Sequence, residues 1–298
     1  MNCPFRTVDV FTTRRFGGNP LAVVLNADAL DSAQMQAIAR EFSYSETTFI
    51  MRPTDPANTA RVRIFTPVAE VPFAGHPNVG TAYVLATLEP SGSRATEFVF
   101  EEQAGLVPVS LRWSGDTVEN VEVAVPEVLS QGSRLEAGDV AASLSLETRN
   151  ILTTVHPPGI ASVGLPFLVV EVATRKALAA ARVNMEAVSR ILPTEAADAI
   201  YLYCRHPGPE DGSVDLTARM FAPWDGVPED PATGSATAAA CALISSLQED
   251  GSRDRHFKVA QGIDMNRPSL IEIRVDAGGR GVRISGTCVP VLSGEIQV

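Results

Sequence analysis

The apolar residues of Phe5–Val10 and the continuous apolar run Leu21–Leu25 read as two strands around the turn-forming Gly17-Gly18-Asn19-Pro20. Asp31-Ser32-Ala33-Gln34 is a capping-box pattern. Met35, Ile38, Ala39 and Phe42 then fall on one helical face. Strands are predicted over Ser45–Met51 and Arg61–Phe65, followed by an apolar helix over Val79–Leu88 with Pro77 in the tolerated first-turn position. Glu97–Phe100 and Val107–Trp113 continue as strands. The Gly/Ser/Pro-rich stretch from Ser114 to about Gly138 is the expected crossover. Further on come a strand at Phe167–Val172, a helix from Asn184 to Leu192, strands at Ala199–Cys204 and Leu216–Phe221, and a helix over Ala236–Leu247. His206–Gly212 and Gln248–Asp254 read as exposed polar loops. After a strand at Gly281–Ser285, Val289–Val298 is expected to close back onto the first half.

Two of these helices have no polar face. Gly80-Thr81-Ala82-Tyr83-Val84-Leu85-Ala86 and Ala236-Thr237-Ala238-Ala239-Ala240-Cys241-Ala242-Leu243-Ile244 are small or apolar all round. A helix of that kind is buried on every side, so strands must surround it.

The same two regions are copies of one another. Arg63, Phe65, Pro67, Val71, Pro72, Thr81, Ala82 and Ala86 recur as Arg219, Phe221, Pro223, Val227, Pro228, Thr237, Ala238 and Ala242 at a constant offset of 156. Composition alone gives about one or two such identities in a window of this size. A weaker echo relates Gly18-Asn19-Pro20 before Val23-Val24 to Gly164-Leu165-Pro166 before Val169-Val170. With 298 residues, the chain reads as α+β, two related domains, each a mixed sheet curled into a barrel around a central buried helix. The expected halves are 1–116 plus 288–298, and 117–287. The N-termini of the two central helices are expected to face a shared cleft.

Composition narrows the partners. Hydrophobic residues at 45% and charged residues at 20% are ordinary for a globular chain. A formal charge of −11 without any Lys/Arg run disfavours nucleic acid and anionic membranes. No signal peptide or bilayer-spanning run is evident, and Cys3, Cys204, Cys241 and Cys288 are scattered without a CxxC pair. That pattern fits a soluble protein of a reducing cytoplasm with neither a zinc site nor a disulfide framework. GxGxxG, Walker, HExxH and GxSxG motifs are all absent.

The candidate chemistry sits where the duplicated helices begin. Gly75-His76-Pro77 precedes one and Asp230-Pro231-Ala232-Thr233-Gly234-Ser235 precedes the other. A helix N-terminus has unpaired N–H groups and about half a positive charge, so two of them can hold a carboxylate without an arginine. Singly, His76 reads as a hydrogen-bonded core residue and Gly234-Ser235 as a simple cap. Their recurrence, each with an ionisable group, favours a site. Glu46 is the third element. Strand alternation puts it on the face of Thr48 and Ile50, where it either points to solvent at the strand end or sits semi-buried as a general acid/base requires.

Together, Gly17-Gly18-Asn19-Pro20, Ser45-Glu46-Thr47-Thr48-Phe49, Phe73-Ala74-Gly75-His76-Pro77 and Glu229-Asp230-Pro231-Ala232-Thr233-Gly234-Ser235-Ala236 resemble the phenazine-biosynthesis PhzF-like family of the diaminopimelate-epimerase fold group. The resemblance runs the length of the chain. It implies two pseudo-symmetric domains with the active site between them, Glu46 as the acid/base that moves a proton between substrate carbons, and His76 and Asp230 as its partners. It further implies that Gly75, Gly234 and Ser235 bind the substrate carboxylate and that Asn19 lines the cleft. The implied reaction is a cofactor-free isomerisation of a small carboxylate such as trans-2,3-dihydro-3-hydroxyanthranilate, with no metal, in a cytoplasmic homodimer. Epimerases and racemases of the fold group carry a cysteine at each helix N-terminus, whereas here those places fall at about Ala74 and Thr233. This disfavours a two-thiol racemase. An epimerase using Glu46 with His76 or Asp230, and a non-catalytic small-molecule binding protein, are the alternatives.

Overall fold

In the computed structural model, which describes residues 2–88, 94–206, 208, 211–224, 228–248, 253–279 and 281–298, the predicted strands assemble twice in the same order. The first half comprises β1 (Asn2–Val10), β2 (Asn19–Val24), α1 (Ser32–Phe42), β3 (Glu46–Met51), β4 (Ala60–Phe65), β5 (Glu70–Val71), α2 (Gly75–Leu88), β6 (Glu97–Glu102), β7 (Gly105–Ser114) and β8 (Thr117–Ala124). β1 pairs antiparallel with β2, β2 parallel with β3, and β3 antiparallel with β4. β4 pairs antiparallel with the short β5 and parallel with β6, and the meander β6-β7-β8 follows. Each parallel step needs a crossover, and α1 and α2 are those crossovers.

The second half comprises β9 (Ser130–Arg134), α3 (Ala137–Ser143), β10 (Gly159–Ser162), β11 (Pro166–Glu171), α4 (Arg175–Ala180), α5 (Met185–Val188), β12 (Ile200–Cys204), β13 (Leu216–Phe221), β14 (Glu229–Asp230), α6 (Gly234–Ser246), β15 (Arg255–Gln261) and β16 (Ser269–Val275). Its pairing repeats the first: β10 with β11 antiparallel, β11 with β12 parallel, β12 with β13 antiparallel, β13 with β14 antiparallel and with β15 parallel, and β15 with β16 antiparallel. β17 (Val282–Gly286) pairs with β8, and β18 (Cys288–Gln297) pairs antiparallel with β1, so the C-terminal segment does return to the first half.

Each half wraps its sheet around one helix. α2 touches β1, β2, β3, β7, β8 and β18, and α6 touches β10, β11, β12, β15 and β16. Gly75–Val84 with Ala86, and Gly234–Ile244, are buried on all sides, as the absence of a polar face predicts. Small side chains are needed for this approach. A Cβ on Gly80 would lie 2.6 Å from Leu21 Cδ2 and 2.8 Å from Val10 Cγ2. The repeated threonines satisfy their hydroxyls against the wrapping strand: Thr81 with Thr48 of β3 at 2.9 Å, and Thr237 with Tyr201 of β12 at 3.0 Å. The repeated arginines also behave alike. Arg63 forks onto Glu70 and Arg219 onto Glu229, with their guanidinium carbons 5.1 and 4.7 Å from the rings of Phe65 and Phe221. The repeated Val227 lies outside the described residues.

Several boundaries move. The chain divides into Met1–Pro126 with Ile284–Val298, and Glu127–Arg283. The break therefore falls after Pro126 and not at 116/117, because Thr117–Ala124 is a strand hydrogen-bonded to β7. The expected crossover from Ser114 to Gly138 instead holds β8, β9 and the start of α3. Gly115, at φ +60°, makes the hairpin turn that the Gly/Ser content signalled as a linker. α2 and α6 start four and two residues earlier than predicted, which places Gly75, His76, Gly234 and Ser235 inside the first helical turns. The helix expected to reach Leu192 ends at Val188, and Pro193 disfavours helical continuation. The expected loops at His206–Gly212 and Gln248–Asp254 lie partly outside the described residues.

Candidate active site

In the first unit, three predicted residues meet. Gly18 closes the turn before β2 with φ +63°. A side chain there would strike the Val10 carbonyl at 2.2 Å, so glycine is required for the turn that sets Asn19 as the first residue of β2. Asn19 is fully buried, and its Nδ2 lies 3.3 Å from Nδ1 of His76. His76 is the second residue of α2 and is 3% exposed. Its other nitrogen, Nε2, is 3.5 Å from Oε2 of Glu46. With Asn19 donating to Nδ1, a neutral ring carries its proton on Nε2, the nitrogen that faces the carboxylate. Glu46 opens β3, and its side chain is 18% exposed. It is therefore semi-buried, the second of the two sequence readings, and it lies against the first turn of α2, which also contains Gly75. A carboxyl in that position can exchange a proton with a ligand while a histidine holds it in place.

In the second unit, Asp230, Thr233, Gly234 and Ser235 form a second constellation. Asp230 ends β14 and is 6% exposed. The Thr233 hydroxyl donates to Asp230 Oδ2. Gln261, the last residue of β15, donates from Nε2 to the Asp230 carbonyl at 2.9 Å and to Thr233 Oγ1 at 3.2 Å, and accepts the Thr233 N–H at 3.2 Å. Thr233 is the N-cap of α6, yet its hydroxyl makes no capping bond because Asp230 takes it. The Thr233 hydroxyl is thus not used to cap α6, whose first turn contains Gly234 and Ser235.

Sequence reasoning missed Gln261 and the pairing of Asn19 with His76. Neither carries a local signal, since each partner comes from an element distant in the chain. Ala74 and Thr233 do occupy the positions just before the two helices, as expected. All four cysteines are buried and unpaired, and burial pushes the thiols of Cys204, Cys241 and Cys288 up, away from the thiolate form. Among the described residues, no cluster of His, Cys, Asp and Glu could hold a metal, and no helix is long and apolar enough to cross a membrane.

Comparison with known proteins gives a consistent picture. A family model described as phenazine biosynthesis-like protein (PhzC-PhzF) matches residues 8–294. An uncharacterized isomerase of Mesorhizobium japonicum is 38% identical over 97% of this chain and 97% of its own. The trans-2,3-dihydro-3-hydroxyanthranilate isomerase of Pseudomonas aeruginosa is 33% identical, covering 94% of each chain. Among solved structures, a PhzF-family phenazine biosynthesis protein of Bacillus anthracis superposes with a TM-score of 0.88 at 24% identity over 100% of both chains. A hydroxyproline epimerase from Agrobacterium vitis shares the fold at a TM-score of 0.62 and 14% identity, over 99% of this chain and 92% of that one.

Proposed function

This chain belongs to the phenazine biosynthesis-like PhzC-PhzF family of isomerases, and we propose that it is a cofactor-independent isomerase of a small carboxylate-bearing metabolite with Glu46 as its proton shuttle. The carrying observation is the chain Asn19–His76–Glu46, which ends in a semi-buried carboxyl beside a helix N-terminus. As a carboxylate, Glu46 takes a proton from one substrate carbon. The electron pair left behind moves through an adjacent unsaturated system, and the carboxylic acid then returns the proton to a second carbon. Composition is unchanged and no electrons leave, so no cofactor is required. His76, whose Nε2 lies 3.5 Å from Glu46 Oε2, orients the Glu46 carboxyl, and Asp230, held by Thr233 and Gln261, is the candidate ionisable group of the second unit. The N–H of Gly75 at the start of α2 suits a substrate carboxylate, and in the second unit the N–H of Gly234 and the Ser235 hydroxyl at the start of α6 suit one in the same way.

The Pseudomonas relative suggests the substrate class, an amino-substituted carboxylate on an unsaturated ring bearing a hydroxyl. Incubation of the protein with trans-2,3-dihydro-3-hydroxyanthranilate, followed by NMR and mass spectrometry, is expected to give a double-bond isomer of unchanged mass. A folded protein that leaves this compound and related cyclic carboxylates untouched would remove the proposal. Ser235→Ala is expected to raise KM by about 5- to 15-fold with a smaller change in kcat, because it deletes one hydrogen bond to a charged group that is present before and during the reaction. An equal loss in kcat would instead place Ser235 in the chemical step.

Thiol chemistry has no part in this scheme. Replacing the four cysteines together by alanine or serine is expected to leave turnover largely intact, apart from packing losses at Cys241, which is fully buried in α6. Loss of turnover with the fold retained, judged by circular dichroism, would return a thiol-based epimerase to consideration.

A further inference from the structure

Three acceptor atoms close to the first turn of α2 are buried without a hydrogen-bond partner: Oε1 and Oε2 of Glu102, and Oδ1 of Asn78. Asn78 is fully buried, two residues after His76. Its side-chain Nδ2 donates one N–H to the Ala74 carbonyl at 3.1 Å. Glu102 ends β6, and the Asn78 side chain is the group that faces its carboxyl. An ionised Glu102 could accept the second N–H of Asn78, but nothing would then donate to Asn78 Oδ1. One added proton resolves all three atoms. The O–H of a neutral Glu102 donates to Asn78 Oδ1 while its carbonyl oxygen accepts the remaining N–H, a cyclic acid–amide pair with every donor and acceptor used.

We propose that Glu102 is a neutral carboxylic acid paired in this way with Asn78, and that the pair is a positioning element for the helical turn that presents Gly75 and His76. The role rests on the reading of His76 as partner of Glu46; the pairing itself does not. Burial pushes Glu102 up to about 8, with the Asn78 contact opposing. Of the neighbouring charges, Glu101 accepts N–H groups from Thr54, Asp55 and Asn58, and Arg61 of β4, opposite Glu101 in the ladder, is exposed. In β7 the residue opposite Glu102 is Gly105, and on α2 the titratable groups are His76, which faces Glu46, and Tyr83, whose phenol burial pushes up. Because the folded group holds its proton above the ordinary carboxylate range, its contribution to stability is full at acid pH and is lost as pH rises through about 8.

Carbon-13 NMR of protein labelled at glutamate carboxyl carbons tests this, with the Glu102 signal assigned by its loss in Glu102→Gln. The proposal expects a protonated carboxyl at pH 7 that titrates near 8, and a Glu102→Gln protein whose stability no longer falls over that limb. A glutamine can donate and accept in the same ring, so Glu102→Gln is expected to leave the nitrogen-15 shifts of the His76 ring unchanged. Glu102→Leu is expected to move them and to lower kcat on trans-2,3-dihydro-3-hydroxyanthranilate by about 10- to 100-fold with KM little altered. A Glu102 signal that is ionised at pH 7 and titrates in the ordinary range near ~4.3 would overturn the pairing. A Glu102→Leu protein with unmoved His76 nitrogens would overturn the positioning role. Both NMR results stand whether or not that compound is turned over, so failure of the isomerase reading is distinguishable from failure of this one.

Discussion

Glu46→Gln is expected to bind substrate and to lose turnover by about 10²–10⁴-fold, equivalent to about 3–5 kcal/mol of transition-state stabilisation. Glutamine keeps the volume and much of the hydrogen bonding of the side chain but cannot take up and release a proton at neutral pH. The loss should fall in kcat with little change in KM, since an interaction made in the ground state is largely conserved. The 3.5 Å approach of His76 Nε2 adds a control. His76→Gln, which keeps the shuttle and removes its partner, should cost less than Glu46→Gln. Steady-state kinetics of both variants on an authenticated substrate provide the measurement. Near-normal activity in Glu46→Gln would remove the proposed mechanism.

Arg219→Met is expected to destabilise the protein by about 3–5 kcal/mol, the cost of breaking a buried ion pair by removing one partner. Arg219 is 4% exposed. Besides its fork onto Glu229, its Nη1 donates to the carbonyls of Leu178, Ala179 and Ala181 at 2.9, 3.2 and 3.0 Å. Those carbonyls close the C-terminal end of α4, where orphan acceptors and the helix dipole favour a cation. Methionine fills the space and leaves the Glu229 carboxylate without its fork, while the carbonyls of Ala179 and Ala181 keep only the Arg182 guanidinium and that of Leu178 only the Ala181 N–H. The repeat supplies an internal comparison. Arg63 makes the same fork onto Glu70 but is closer to solvent, with side chains 18% and 30% exposed, and Arg63→Met should cost about 1 kcal/mol or less. Urea unfolding of the two variants, at unchanged slope, measures the difference. Equal losses would show that burial does not set the worth of this motif.

The duplicated segment was legible because it carries packing and pairing chemistry in the side chains themselves. Arginine, phenylalanine and threonine recur where the fork, the cation–π contact and the buried hydroxyl recur. The capping box at Asp31 and Gln34 was legible for the same local reason, and both of its hydrogen bonds form. Helix starts were not. Gly75-His76-Pro77 and Gly234-Ser235 have loop-like composition, yet enclosure by the sheet makes them helical, a tertiary effect that overrides propensity. β8 was hidden because Val118, Val121 and Val123 supply its buried side within a stretch otherwise rich in polar residues. Of the site, residue identities were legible and environments were not. Whether Glu46 faced solvent or the interior depended on a histidine 30 positions on. The grip of Gln261 on Asp230 and the pairing of Glu102 with Asn78 arise from strands that meet these residues only in the folded chain.

The most direct test of a single glutamate shuttle follows the migrating hydrogen itself. Substrate carrying deuterium at the carbon that loses its proton is converted in ordinary water, and the product is examined by NMR for label at the receiving carbon. The shuttle predicts that part of the deuterium reappears there on the same face of the ring, diluted by exchange through the partly exposed Glu46 carboxyl, and that Glu46→Gln yields almost no product. Delivery of solvent hydrogen to the opposite face, or label transfer at an undiminished rate in Glu46→Gln, would contradict it.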